Sequence, residues 1–230
     1  MKQKINISSG ITEGSTRCHR SELRGSLKET NGCLSQGAEA KIVLQENKII
    51  KKRIKKSYRI PQLDEKIRKL RTRSETKLLE KASKIINAPK IIKSNENTKE
   101  IEMEFINGKR LSEELNKLSL QKQKEISKKI GENISKIHDE HIIHGDLTTS
   151  NMILLKDKLF FIDFGLGYIS QKYEDKAVDL HLLKQALIAK HYKNAEILFN
   201  EILKSYTKSK DSKLVLEQLK KVEKRGRYKN

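Results

Sequence analysis

Hydrophobic and polar positions alternate in two distinct ways along this chain, and the switch between them divides it. Leu34 to Leu44 reads as a turn running into a strand, Gln45-Glu46-Asn47 as a hairpin turn, and Lys48 to Ile54 as the return strand. From Pro61 to Asn87 the apolar residues recur three and four apart: Leu63, Ile67 and Leu70 make one helical face, and Leu79, Ala82 and Ile86 continue it. Ala88-Pro89 ends that helix. Lys90-Ile91-Ile92 and Glu100 to Ile106 read as strands around a polar turn, Ser94 to Thr98, before Asn107-Gly108 breaks the chain. Leu120 to His141 is a long amphipathic helix with Ile126, Ile130, Ile134 and Ile137 on one stripe. Met152 to Leu155 and Leu159 to Ile162 are short and strand-like, and three helical stretches close the chain, starting at Glu174, Ala195 and Lys213. The expectation is an α+β fold of two lobes: a small antiparallel sheet with one main helix over residues 33–106, and a reduced, mostly helical lobe over 107–222. Residues 1–32 show no apolar periodicity and are expected to be a disordered or loosely attached extension.

The chemistry gathers between those lobes. His144-Gly145-Asp146-Leu147-Thr148-Thr149-Ser150-Asn151 is followed by Phe161-Ile162-Asp163-Phe164-Gly165. An aspartate, an asparagine and a second aspartate in this order and spacing match the active centre of protein-kinase-like phosphotransferases. Asp146 is the candidate base for a hydroxyl or water proton. Asn151 and Asp163 are candidate Mg²⁺ ligands, because that hard cation prefers oxygen donors. The bland alternative, two turn caps and a strand end, fits an isolated motif better than two motifs in register.

Lys51 follows an apolar Ile-Ile pair on the return strand and is the candidate to reach the α- and β-phosphates of ATP. Glu75 lies on the inward face of the first helix, where an acid needs a partner, and Lys51 is the natural one; a solvated Glu75 is the competing reading. Gly37, with Ala38 beside it, lets backbone approach phosphate oxygens, and Leu34, Ser35 and Ile42 complete the candidate nucleotide contacts of that strand pair. Glu104 and Ile106 would present the backbone groups that pair with adenine. His138 and His141 read as structural, His144 as a brace for the loop, and Asp179 as an anchor beneath it.

Composition narrows the setting. The 230 residues carry a net charge of +20, a field that suits polyanions unless it is only a lysine-rich solvated surface. The closing Arg225-Gly226-Arg227-Tyr228-Lys229 reads as a basic tail over 223–230 with a glycine hinge, and Arg225, Arg227 and Lys229 are its candidate nucleic-acid contacts. Cys18 and Cys33 match no metal-ligand or disulfide pattern, and no stretch has the length of a membrane span, so an intracellular setting is the default expectation. After Gly165 the next helix begins almost at once. There is no Ala-Pro-Glu motif and little room for the long activation segment that ends in one, and glycine stands at 145 where an activation-loop phosphate would be read by arginine.

These residues resemble the small atypical kinase/ATPase subunits of the KEOPS (EKC) complex, Bud-type relatives of the RIO kinases. The likeness runs over about residues 33–229. It is carried by Gly37-Ala38-Glu39-Ala40, Lys56-Ser57-Tyr58-Arg59 with Pro61, Arg71-Thr72 with Glu75, His144 to Asn151, Ile162 to Leu166, Glu174 to Leu180, and Arg225-Gly226-Arg227. Ile60 departs from the family's usual histidine, and the tail lacks a further basic pair. The resemblance implies ATP and Mg²⁺ binding, autophosphorylation and ATP hydrolysis. It also implies a role in forming threonylcarbamoyl-adenosine at position 37 of tRNAs that read codons beginning with A. Its implied partners are the threonylcarbamoyl-transferase subunit, a small regulatory subunit on the first lobe, and tRNA, with no membrane; its implied location is cytoplasmic, and nuclear as well in a eukaryote. Relatives fused to the transferase are longer, so this chain is expected to act as a separate subunit. The rival readings are a stand-alone Ser/Thr protein kinase, a small-molecule kinase, a RIO-type kinase and a tRNA-binding scaffold with vestigial activity.

Overall fold

The computed structural model describes residues 32–36 and 39–227. The expected N-terminal extension thus lies almost wholly outside the described residues. Strands β1 (Gly32–Gln36), β2 (Ala40–Gln45), β3 (Lys48–Arg53), β4 (Ile91–Asn95) and β5 (Glu100–Glu104) form an antiparallel sheet in the order β1-β2-β3-β5-β4. The β2–β3 turn is two residues, Glu46 and Asn47, both left-handed at φ 46° and 66°. That twist matches the flanking strands, so Gln45 belongs to β2 and not to the turn. Register places Ile42 opposite Lys51, and Lys51 opposite Ile101. Because side chains alternate along a strand, Ile42, Lys51, Arg53 and Ile101 all point to one face of the sheet.

Helix α1 (Pro61–Ala82) packs on that face. It stops five residues short of the expected end, and turns carry the chain to the buried Ile86. Its inward side also differs from expectation. Leu63 and Leu70 are half exposed, whereas Asp64, Thr72, Glu75, Leu78, Leu79 and Ala82 are buried. The reason is electrostatic. Asp64 accepts from Arg68 Nε at 2.7 Å and the Lys56 backbone N–H at 3.2 Å, with Arg59 3.7 Å away, so the inward track at this end is filled by a paired charge. The Lys-Ser-Tyr-Arg stretch is therefore the loop that closes over Asp64.

The second lobe runs β6 (Lys109–Arg110), α2 (Leu111–Glu114), α3 (Leu120–Asp139), β7 (Ile142–Ile143), β8 (Met152–Leu155), β9 (Lys158–Phe161), β10 (Tyr168–Ile169), α4 (Tyr173–Lys190), α5 (Ala195–Tyr206) and α6 (Ser212–Arg227). Ser119 caps α3 by accepting from the Lys122 N–H, as short hydroxyl residues do at helix starts. The expected stripe Ile126, Ile130, Ile134 and Ile137 is at most 2% exposed; each such side chain contributes about 1.5–3 kcal/mol on burial. The helix ends two residues early because His141 turns left-handed, φ 60°. α3 and α5 meet closely at Gly131, where a Cβ would fall 2.2 Å from the Ile202 carbonyl oxygen. Between α4 and α6 the fully buried Lys176 reaches Asp211 at 3.1 Å. The expected glycine hinge before the tail is absent among the described residues, since α6 continues through Gly226 to Arg227. No helix among the described residues is long and apolar enough to cross a membrane.

Candidate active site

The loop after β7 is held from below. Asp179 on α4 is buried, and its two carboxylate oxygens accept from the His144 N–H at 2.7 Å and the Gly145 N–H at 2.9 Å. Burial alone would raise its pKa; the His138 ring and the His144 N–H outweigh that and leave it below the usual range. His138 continues the support to the Tyr206 hydroxyl at 3.0 Å. Gly145 has φ +78°, and a Cβ there would sit 2.3 Å from the Leu166 carbonyl oxygen, so only glycine fits where the two loops cross.

His144 braces the loop as the sequence implied. Its Nε2 faces the Ile162 carbonyl at 3.2 Å, and a carbonyl can only accept, so Nε2 carries the proton. Nδ1 is then free to accept from the Asp146 N–H at 3.4 Å. Burial pushes this imidazole below its usual pKa, against the pull of Asp179. The ring also lies 4.6 Å from that of the buried Phe164.

Asp146 and Asn151 meet directly. Asn151 Nδ2 donates to the Asp146 backbone oxygen at 2.9 Å and to its carboxylate at 2.8 Å. The Asn151 backbone oxygen accepts the Ile162 N–H at 2.9 Å, which joins this loop to the one carrying Asp163. Asp163 is in the left-handed region, φ 65°, which is uncommon for residues with a side chain but more accessible to aspartate than to most. The Gly165 N–H, 3.2 Å from Oδ1, helps to hold its carboxylate. Lys51 holds it too, with its ammonium 2.7 Å from Asp163 Oδ1 and 2.6 Å from Glu75 Oε1. Burial would lift the Asp163 carboxyl, but Lys51 prevails and holds it below the usual range. Burial would likewise lower the Lys51 ammonium; Glu75 and Asp163 reverse that and raise it. Lys51, Glu75, Asp146, Asn151 and Asp163, far apart in sequence, are thus one constellation.

This arrangement fits Mg²⁺. Asn151 spends its N–H groups on Asp146, which leaves Oδ1 without a partner among the described residues; Asp163 Oδ2 is in the same position. One oxygen from each loop, with phosphates completing the shell, is the donor set this ion uses. At the break after β5, the Ile106 N–H has no partner among the described residues, while the Glu104 N–H is already given to the Lys90 carbonyl. Leu34 and Ser35 fall in β1; Gly37 and Ala38 lie outside the described residues. Arg225 is ion-paired with Glu174 at the start of α4, Arg227 ends α6, and Lys229 lies outside the described residues.

Two features escaped the sequence reading. Arg53, two residues beyond Lys51, donates to Glu75 Oε2 at 2.5 Å; the period-two spacing on β3 was the available signal. His191, after α4, bonds Thr149 of the catalytic-type loop at 3.0 Å and Asn116 at 2.7 Å. Nothing in the spacing marks that pair.

Comparison with known proteins identifies the constellation's family. The RIO domain model matches residues 40–175. The chain is 42% identical over 209 residues to the KEOPS complex subunit Bud32 of Pyrococcus abyssi, with 85% of this chain and 95% of that protein aligned. The chain belongs to the Bud32 family. A second Bud32 relative, the EKC/KEOPS complex subunit of Dictyostelium discoideum, is 43% identical over 88% of this chain and 85% of its own length. A third, a probable bifunctional tRNA threonylcarbamoyladenosine biosynthesis protein of Methanobrevibacter smithii, is 42% identical, and the chain spans 38% of its length. The fold is similar to that of the Rio2 kinase of Chaetomium thermophilum, whose solved structure is a complex with ADP, Mg²⁺ and phosphoaspartate. The TM-score is 0.54 at 15% identity, covering 84% of this Bud32-family chain and 70% of the Rio2 chain. The bilobal α+β architecture expected from the sequence is therefore the RIO-type atypical kinase fold.

Proposed function

We propose that this protein is the ATP-dependent atypical Ser/Thr kinase and ATPase subunit of a KEOPS complex, acting in the formation of threonylcarbamoyl-adenosine on tRNA. The observation that carries the reading is the Lys51–Glu75–Asp163 ion cluster, joined to the Asp146–Asn151 pair through the bond from the Ile162 N–H to the Asn151 carbonyl, in a chain of Bud32 ancestry. Lys51 holds the α- and β-phosphates of ATP, and Glu75 keeps Lys51 in place. Asp146, fixed by the Asn151 amide and the His144 brace, orients the attacking hydroxyl and accepts its proton. Asn151 and Asp163 would hold Mg²⁺ through their free side-chain oxygens, and the ion would supply charge neutralisation at the phosphates. The Ile106 N–H and the Glu104 carbonyl read the adenine edge beneath Ile42, with Leu34 and Ser35 of β1 as further nucleotide contacts.

The acceptor is water or a hydroxyl on a tethered partner. Asp163 and the start of α4 at Tyr173 are bridged only by β10, which pairs with β7. That connection offers no platform for a free peptide, which argues against the stand-alone protein-kinase reading. The partners are the threonylcarbamoyl-transferase subunit and the small regulatory subunit; the exposed Ile60, Leu63 and Leu70 on the first lobe give the latter an apolar seat. The tail, through Arg225, Arg227 and Lys229, contacts tRNA.

The test is ATP hydrolysis by the full chain with its transferase partner, with and without tRNA, beside an assay on a generic protein substrate. Asp146→Ala should abolish turnover while leaving ATP binding and folding intact, and Asp163→Ala should abolish turnover. Wild-type hydrolysis by purified Asp146→Ala would overturn the assignment of the base. Robust phosphorylation of the generic substrate would favour the protein-kinase reading.

A further inference from the structure

Arg53 presents a problem that a lysine–glutamate pair alone does not pose. It is 5% exposed, its Nη2 lies 2.5 Å from Glu75 Oε2, and its Nε is buried without a partner among the described residues. Glu75, 1% exposed, therefore has a cation on each carboxylate oxygen: Lys51 on Oε1 and Arg53 on Oε2. A buried arginine with an incompletely satisfied guanidinium is costly, and an apolar residue on β3 would pack there without that cost. Its retention needs a task.

The charges indicate one. Lys51 and Arg53 balance Glu75 and Asp163, so the four-residue cluster is neutral. On the reading proposed above, nucleotide binding draws the Lys51 ammonium toward phosphates. Without Arg53, Glu75 would then be buried with its single cation partly withdrawn, and α1 would lose its grip on β3. Arg53 removes that difficulty, because its bond to Glu75 involves no atom that meets the nucleotide. The same Nη2 also donates to the Arg71 carbonyl at 3.3 Å, one turn earlier on α1. The Arg71 guanidinium in turn holds Glu39, just ahead of β2, at 2.5 Å. Glu39, Arg71, Arg53, Glu75, Lys51 and Asp163 form an unbroken path from the start of β2 to Asp163.

We propose that Arg53 is a positioning residue for phosphoryl transfer: it keeps Glu75 and α1 docked while Lys51 is shared with the phosphates. This support comes from within the first lobe, since the connection from Asp163 to α4 carries only β10. The inference rests on the proposed roles of Lys51 and Asp163.

The test is a double-mutant cycle on Mg-ATP hydrolysis by the full chain, with kcat and KM measured for wild type, Arg53→Met, Glu75→Gln and the double variant. Arg53→Lys and Arg53→Gln are measured beside them, with the thermal unfolding of every variant. Expected is a loss of at least about tenfold in kcat for Arg53→Met, recovered in large part by Arg53→Lys and not by Arg53→Gln. In the Glu75→Gln background the arginine substitution should cost less than roughly threefold more, because its effect passes through Glu75. Effects that multiply independently would overturn the proposal. So would a kcat for Arg53→Met or Arg53→Gln within about twofold of wild type, or losses that only track the unfolded fraction. A wild-type chain that neither binds nor hydrolyses Mg-ATP, or an active Asp163→Ala, would instead sink the functional reading itself. Normal wild-type turnover with a dead Asp163→Ala and an unaffected Arg53→Met would sink this inference alone.

Discussion

His191 shows how a single side chain outside the motif holds the motif's shape. Asn116 Nδ2 donates to the Lys190 carbonyl, so its Oδ1 is the atom facing His191 Nδ1, and Nδ1 must carry the proton. Nε2 then accepts from the Thr149 hydroxyl, which fixes the 3-10 turn leading into Asn151. Burial, with Lys190 adding to it, holds this imidazole below its usual value of 6.5. The folded state thus prefers the neutral ring. Its contribution to stability is fully present above the unfolded pKa of about 6.5 and is lost as pH falls below that value towards the folded pKa. His144, depressed by burial, adds a dependence of the same sign. The melting temperature should therefore drop between pH 7.5 and 5.5, and the drop should be smaller in His191→Gln. Equal drops in the two proteins would refute the assignment. The residues legible in the sequence were those whose chemistry demanded company: Asp146, Asn151 and Asp163 by spacing, Glu75 because a buried acid needs a cation. His191 carried no such sign, since a histidine after a helix is ordinary until the fold brings Thr149 to it.

At the level of elements, periodicity succeeded where the buried face is apolar and failed where it is charged. The α3 isoleucine stripe is buried as expected, and α5 starts at Ala195 as expected. On α1 the same rule selected Leu63 and Leu70, which are half exposed, because the inward track holds Asp64 and Glu75 with their cations. No periodicity rule ranks an ion pair whose second member is unknown. The short strand β10 was also missed; two residues paired with β7 are too few to carry a pattern. The packing of α3 on α5 gives a sharper test. A methyl at position 131 would meet the Ile202 carbonyl oxygen at 2.2 Å and Ser205 Cβ at 2.9 Å, so the helices would have to part. Gly131→Ala should destabilise the protein by about 1–3 kcal/mol, as overpacking does. The gain in intrinsic helix propensity from Gly to Ala, about 1 kcal/mol, works against this. A denaturation midpoint at or above wild type would show that the helices relax freely.

For the whole molecule, the net charge of +20 has a direction only if some of it is committed. Arg225 pairs with Glu174, so the end of α6 lies beside the start of α4. Removal of residues 224–230 should weaken tRNA binding and flatten its salt dependence, with the log–log slope falling by about 0.7–0.9 for each phosphate that the tail no longer neutralises. An unchanged slope would return the tail to the role of a solubilising end.

Lys176 has a consequence for how this lobe comes apart. Its ammonium, with no exposure to water, is matched by Asp211 just ahead of α6 and lies 5.9 Å from the Tyr173 ring centroid. Peeling the start of α6 away would separate that buried cation from Asp211, so the opening of this end of the last helix is coupled to α4. Amide protons of the two helices should exchange with solvent at a common opening free energy, and Lys176→Met should let α6 exchange by itself.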